Sequence, residues 1–179
     1  MRTGLRDKKL NNAGLSLVEL VVVIAIMAVF AGASISIVVA INNAKTKSCA
    51  QSIYSDISRV KANTLAKQKD VANPFFFELT KNAGGEYIVR EVVENGITPV
   101  EKVVGVKDLT VTYSLDQNAT SGGTPVSATS TAKCQYDRSD GSVVESETNF
   151  KTILVSGARA SYAIRLYYAT GKVKMERIK

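Results

Sequence analysis

The chain has 179 residues, a formal net charge of +7, no histidine and two cysteines. This length allows one ordinary domain with a helical extension. The absence of histidine removes the commonest general base, and two cysteines are too few for a zinc cluster. Residues 1–14 and 43–69 carry the excess positive charge, whereas residues 70–179 are neutral overall. This distribution argues against a nucleic-acid-binding surface on the C-terminal part.

The first predicted element is a long apolar helix. Glu19 is the only charged residue between Leu15 and Ile41. As a helix, this segment would be about 40 Å long, which is enough to cross the ~30 Å hydrocarbon core of a bilayer. It could be a permanent anchor, or part of an ordinary secretory signal peptide cut after Ala33. A third interpretation places the cut before the helix, between Gly14 and Leu15.

The residues around this third position resemble the type IV prepilin signature. A basic leader, residues 1–14, ends in Gly14 and is followed by Leu15, and Glu19 is the fifth residue of the apolar helix. Leu15 stands where the family usually has phenylalanine. This resemblance to type IV pilins and pseudopilins implies that a prepilin peptidase removes the leader and methylates the new amino group of Leu15.

The same resemblance implies membrane insertion followed by filament assembly. The precursor would be a single-pass membrane protein with a cytoplasmic N-terminus. A membrane assembly platform and its ATPase would then move it from the lipid bilayer into a cell-surface filament of identical or related subunits. Glu19 would pair there with the N-terminal amine of a neighbouring subunit. Two charges about 4 Å apart attract by about 4 kcal/mol at an effective dielectric constant of roughly 20. The alternative is that Glu19 is an intramolecular helix cap, or a glutamate that the lipid tolerates.

Residues 15–42 are therefore expected to be the transmembrane and assembly part of the helix, and residues 43–70 its amphipathic continuation. Apolar residues recur at helical spacing in the second part, which predicts a face that packs on a globular head. These residues are Ile53, Tyr54, Ile57, Val60 and Leu65. Cys49 on this helix and Cys134 in the head would form either a disulfide, which export permits, or two free buried thiols.

Residues 71–179 are predicted to form an antiparallel β-sheet head. Runs of β-branched and aromatic residues predict about five to seven strands, and residues 116–132 are predicted to be a polar loop. The last two strands are expected to meet at a turn over residues 169–172. The expected fold class is therefore α+β and pilin-like, with a long N-terminal α-helix packed on a C-terminal antiparallel β-sheet.

The sequence predicts a structural role and not an enzymatic one. It has no phosphate-binding glycine loop, no nucleophile motif and no metal-ligand spacing, so we expect no catalytic residue, metal or cofactor. The expected function is that of a major or minor pilin, or a pseudopilin, in a type IV pilus or a type II secretion-like filament. The alternative is a monomeric membrane-anchored or secreted β-domain that acts as a binding module.

Overall fold

The computed structural model describes residues 16–66, 75–93 and 100–179. The predicted cut between Gly14 and Leu15 lies outside these ranges, as does the predicted end of the helix at residue 70. The chain divides after Val38 into two compact units, which are described separately. Helix α1, Leu17–Ala66, contributes residues to both units.

In the N-terminal unit, the described residues belong to the first part of α1 and the residue before it. Valine and isoleucine are frequent here, although they favour a helix less than leucine or alanine does in water. In a bilayer the preference changes, because a spanning segment must satisfy its backbone hydrogen bonds internally. The composition therefore suits a helix that is surrounded by hydrocarbon.

In the C-terminal unit, α1 packs one face against β-structure. Ile53, Ile57 and Val60 are buried, as predicted from their spacing, and Cys49 and Ala50 extend the same face. The other two residues predicted for this face are not part of it. Tyr54 is 38% exposed and Leu65 is 48% exposed, because both lie off the row of positions that faces the sheets.

The β-structure after α1 is antiparallel throughout, in the part of the chain that the structure describes. Its strands are β1 Phe75–Lys81, β2 Tyr87–Val93, β3 Val100–Gly105, β4 Thr110–Ser114, β5 Thr124–Pro125, β6 Ala132–Gln135, β7 Thr152–Ser156, β8 Ser161–Tyr167 and β9 Lys172–Arg177. The predicted α+β class, with a long N-terminal helix and antiparallel strands, is confirmed.

The strands form two sheets, which corrects the prediction of a single sheet. One sheet has the order β3-β2-β1-β6 and the other the order β5-β4-β7-β8-β9. The turn between β3 and β4 carries the chain from the first sheet to the second, and β6 returns to the first. The alternation of apolar and polar residues along a strand predicts which of its faces is buried. This pattern does not predict which other strand pairs with it.

One apolar core joins α1 to both sheets. Phe77 on β1 and Phe150, just before β7, meet edge to face in this core, with ring centroids 6.3 Å apart. The predicted turn between the last two strands is confirmed, and Gly171 adopts a left-handed φ of 55° there. The result is a head whose sheets are fixed to the second part of the helix.

Candidate processing and assembly site

Helix α1 begins with a side-chain cap. Ser16 Oγ accepts a hydrogen bond from the backbone N–H of Glu19 at 3.2 Å, and its carbonyl accepts one from the N–H of Leu20 at 3.1 Å. A serine followed three residues later by a glutamate is the capping-box spacing, and such a cap contributes about 1 kcal/mol to helix stability. The sequence analysis considered an intramolecular cap at Glu19 but did not name Ser16 as the capping residue, although the spacing is visible at residues 16–19.

Glu19 therefore takes part in the cap through its backbone, while its side chain remains exposed. A carboxylate in the first turn interacts favourably with the positive end of the helix dipole. The predicted cleavage and methylation position, between Gly14 and Leu15, lies immediately outside the described residues. The capping residue Ser16 and the carboxylate of Glu19 thus follow that position within about one helical turn along the chain.

The large apolar side chains between Leu17 and Phe30 are exposed. Leu17 is 78% exposed, Val29 72% and Phe30 69%. By length and composition, α1 can cross a membrane, and none of its most apolar window is buried by the rest of the described chain. Contiguous apolar surface of this kind is rare on soluble monomers and marks a membrane or protein contact.

A comparison with known protein families matches this end of the chain. The family model of the prokaryotic N-terminal methylation motif matches residues 9–35. Those residues carry a type IV prepilin-type cleavage and methylation signal. The match includes the predicted cut and Glu19, which confirms the resemblance for the N-terminal segment. Comparison with curated proteins and with solved structures gave no match. The prepilin-type signal therefore concerns the N-terminal segment alone. What can be said of the head comes from its own structure.

A buried carboxylate connects the second part of α1 to the first sheet. Asp56 is 1% exposed, and its Oδ1 lies 3.0 Å from Lys102 Nζ on β3 and 3.2 Å from Arg59 Nη2. Arg59 also bonds to Glu91 on β2, and that hydrogen bond raises the pKa of its guanidinium. Sequence reasoning did not single out Asp56, because a pairing between distant residues leaves no local pattern.

Two glycines of the head allow α1 to approach closely. A Cβ on Gly105, at the end of β3, would lie 2.7 Å from Cys49 Sγ. A Cβ on Gly157, in the turn after β7, would overlap Thr46 Oγ1. Thr46 is fully buried, so it has little room to move. These close approaches position the second part of the helix against the end of β3 and against the turn after β7.

Cys49 and Cys134 are both free and buried, so the structure does not contain the disulfide that the sequence allowed as one of two alternatives. Cys49 contacts the end of β3, whereas Cys134 lies on β6 at the opposite edge of the same four-stranded sheet. Neighbouring strands are about 4.8 Å apart, and a disulfide needs Cα atoms within about 7 Å. Burial raises the pKa of each thiol to about 12. The sequence alternative of two free buried thiols therefore describes this structure.

Proposed function

We propose that the chain is a structural subunit of a type IV pilus or a type II secretion-like filament, and that its role is not enzymatic. In this proposal a prepilin peptidase cuts between Gly14 and Leu15 and methylates the amine of Leu15. The subunit is held in the membrane by its apolar helix with the N-terminus on the cytoplasmic side. An ATP-driven assembly platform then transfers it to a surface filament of identical or related subunits.

The observation that carries the proposal is the match of residues 9–35 to the methylation motif on a helix whose apolar side chains are exposed. A membrane anchor alone would account for the exposed apolar surface, but not for a leader that ends in Gly14 before a capped helix. A filament of such helices would bury the same apolar side chains against neighbouring subunits. The motif and the surface together therefore support processing followed by assembly.

Glu19 has a specific role in this proposal. Its carboxylate is exposed in the isolated chain, and cleavage would create a cationic amine at Leu15 of every subunit. In a bundle of apolar helices, apolar contacts alone do not fix the register between neighbouring subunits. Pairing of Glu19 with the N-terminal amine of a neighbour would fix it. Charge pairs are stronger in such a low-dielectric environment, and losing one partner leaves the other charge buried alone.

The first experiment identifies the N-terminus of the mature protein by mass spectrometry of membrane and filament fractions. We expect the mature chain to begin at Leu15, with a methylated amine. An N-terminus at Ser34 would instead indicate an ordinary signal peptide, and an intact Met1 would indicate a permanent anchor. Either of these results would contradict the proposal and would favour a monomeric binding module.

A substitution at the cut provides the matched test. Gly14→Trp should abolish leader removal, because a bulky side chain blocks close backbone approach by the peptidase. Thr3→Trp, in the same leader but away from the cut, should leave processing unchanged. Normal processing of Gly14→Trp would show that the cut lies elsewhere.

A further inference from the structure

A small pocket with both polar and apolar walls lies in the C-terminal unit, beside the part of α1 that follows the apolar segment. It has a volume of about 260 Å³ and is lined by Asn42, Lys45, Val106, Asp108, Leu109, Gly157 and Ala158. The helix supplies the amide and the ammonium group. The β3–β4 turn supplies the carboxylate, and the β7–β8 turn closes the third side.

The pocket presents two opposite charges that do not neutralise each other. Lys45 and Asp108 both line it, yet neither forms an ion pair with any residue in the described ranges. Two other helix cations of this unit have partners, since Arg59 pairs with Asp56 and Glu91 and Lys61 donates to the carbonyl of Thr170. Lys47 forms no ion pair in the described ranges either, but it does not line the pocket. A cation and an anion that share a cavity without touching leave room for a ligand that carries both charges.

The position of the pocket along the chain indicates where that ligand comes from. The apolar segment ends at Ile41, and Asn42 and Lys45 follow within one helical turn. In the proposed precursor the N-terminus is cytoplasmic, so the opposite end of the segment emerges at the outer surface of the membrane. Residues at that end meet the phospholipid headgroups, where clustered polar and basic groups recognise lipid phosphates.

We infer that the pocket binds the headgroup of a phospholipid that carries a phosphate and a primary ammonium group, as phosphatidylethanolamine does. Lys45 and Asn42 bind the phosphate, and Asp108 accepts hydrogen bonds from the ammonium. Hydrogen bonds between charged groups are about twice as strong as those between neutral groups. Phosphatidylglycerol offers the phosphate without the cation and so leaves Asp108 unpaired beside an anion. The inference rests on the proposed membrane-held precursor.

The test uses the full chain in nanodiscs that contain phosphatidylcholine with equal amounts of phosphatidylethanolamine and phosphatidylglycerol. The lipids that stay bound after mild detergent extraction are counted by native mass spectrometry. We expect phosphatidylethanolamine to be enriched about tenfold over phosphatidylglycerol, as one charge-assisted hydrogen bond would provide. An unchanged ratio would overturn the inference.

Variants separate the two charges of the pocket. Lys45→Gln should remove retention of both lipids, and Asp108→Asn should keep retention but abolish the preference for phosphatidylethanolamine. Lys47→Gln and Lys107→Gln are the matched controls, since these lysines neighbour the same residues in sequence but do not line the pocket. If Lys47→Gln reduced retention as much as Lys45→Gln, general attraction to the membrane would replace the specific site.

Two further measurements distinguish the possible failures. Protection of the apolar segment from protease in the nanodisc reports whether the chain is embedded at all. An embedded chain without lipid enrichment contradicts the pocket alone, and a chain that is not embedded contradicts the proposed precursor as well. Soluble O-phosphoethanolamine, added to phosphatidylcholine nanodiscs, tests the source of the ligand. Binding of this compound without enrichment of the lipid would overturn the membrane source.

Discussion

The two parts of helix α1 show how one continuous helix can depend on two different environments. From Leu17 to Phe30, its large apolar side chains are exposed, and their burial must come from lipid or from other chains. From Asn42 onward, its apolar face is buried by the sheets of the same chain. The first part is therefore suited to contacts with lipid or with other chains, and the second to the folding of the head. Substitutions in the two parts should separate these properties.

The largest expected difference concerns buried and exposed isoleucines. Ile53 is fully buried in the core of the head, whereas Ile24 is 58% exposed. Ile53→Ala should lower the free energy of unfolding of the head by about 2–5 kcal/mol, because it removes buried methyl groups and leaves a cavity. Ile24→Ala should change that free energy by less than about 0.5 kcal/mol.

Urea unfolding of the full chain in detergent, followed by tyrosine fluorescence, measures both effects. The chain has seven tyrosines and no tryptophan, and Tyr87, Tyr136 and Tyr162 are buried reporters of the head. Equal losses for the two variants would mean that the exposed part of α1 also contributes to the stability of the head.

Glycines provide a second and smaller contrast. A Cβ at Gly32 would meet nothing within 4 Å, whereas a Cβ at Gly157 would overlap Thr46 Oγ1. Gly157→Ala should destabilise the head by about 1–3 kcal/mol through overpacking. Gly32→Ala should leave the head unchanged and stabilise the helix by about 0.5–1 kcal/mol.

A double-mutant cycle with Thr46→Ala tests the cause of the Gly157 effect. Removing the hydroxyl and methyl of Thr46 makes room for the new methyl group at residue 157, so the combined variant should be more stable than the sum of the single effects. Additive effects in urea unfolding would show that the contact between Thr46 and Gly157 is not responsible.

The contrast between the two parts of α1 could largely be predicted from the sequence, because it is local. The apolar run, in which Glu19 is the only charged residue, predicts a transmembrane and assembly segment, and the helical recurrence of Ile53, Ile57 and Val60 predicts a buried face. The strand positions near Phe75 and Tyr87 are also visible as apolar runs. In each case, neighbouring residues in the sequence contain the information.

What could not be predicted depends on contacts between distant residues. The division into two sheets follows from strand pairing, and β6 is too short to produce a clear alternation. The closeness of Gly157 to Thr46 and the separation of Cys49 from Cys134 follow from the same topology. The cap of Ser16 is different, because its spacing to Glu19 is local and could have been recognised.

The smallest expected effect on stability involves the two carboxylates of α1, Glu19 and Asp56. Asp56 is buried beside Lys102 and Arg59, whose side chains are 43% and 46% exposed. Asp56→Asn should destabilise the head by about 1–2 kcal/mol, since the two cations can return to water but lose a charged hydrogen-bond partner. Glu19→Gln should leave the stability of the head unchanged. Urea unfolding measures this difference directly.

Filament assembly should show the opposite order. Glutamine is compatible with the capping box, and the bond between Ser16 and the backbone of residue 19 does not need the carboxylate. Glu19→Gln therefore removes the charge while keeping the cap, and it should reduce incorporation into sheared filaments without reducing the cleaved subunit held in the membrane. Asp56→Asn should assemble in proportion to its folded fraction. Both fractions are measured in cells where the variant is the sole copy. Normal assembly of Glu19→Gln would assign this residue to the cap and not to pairing between subunits.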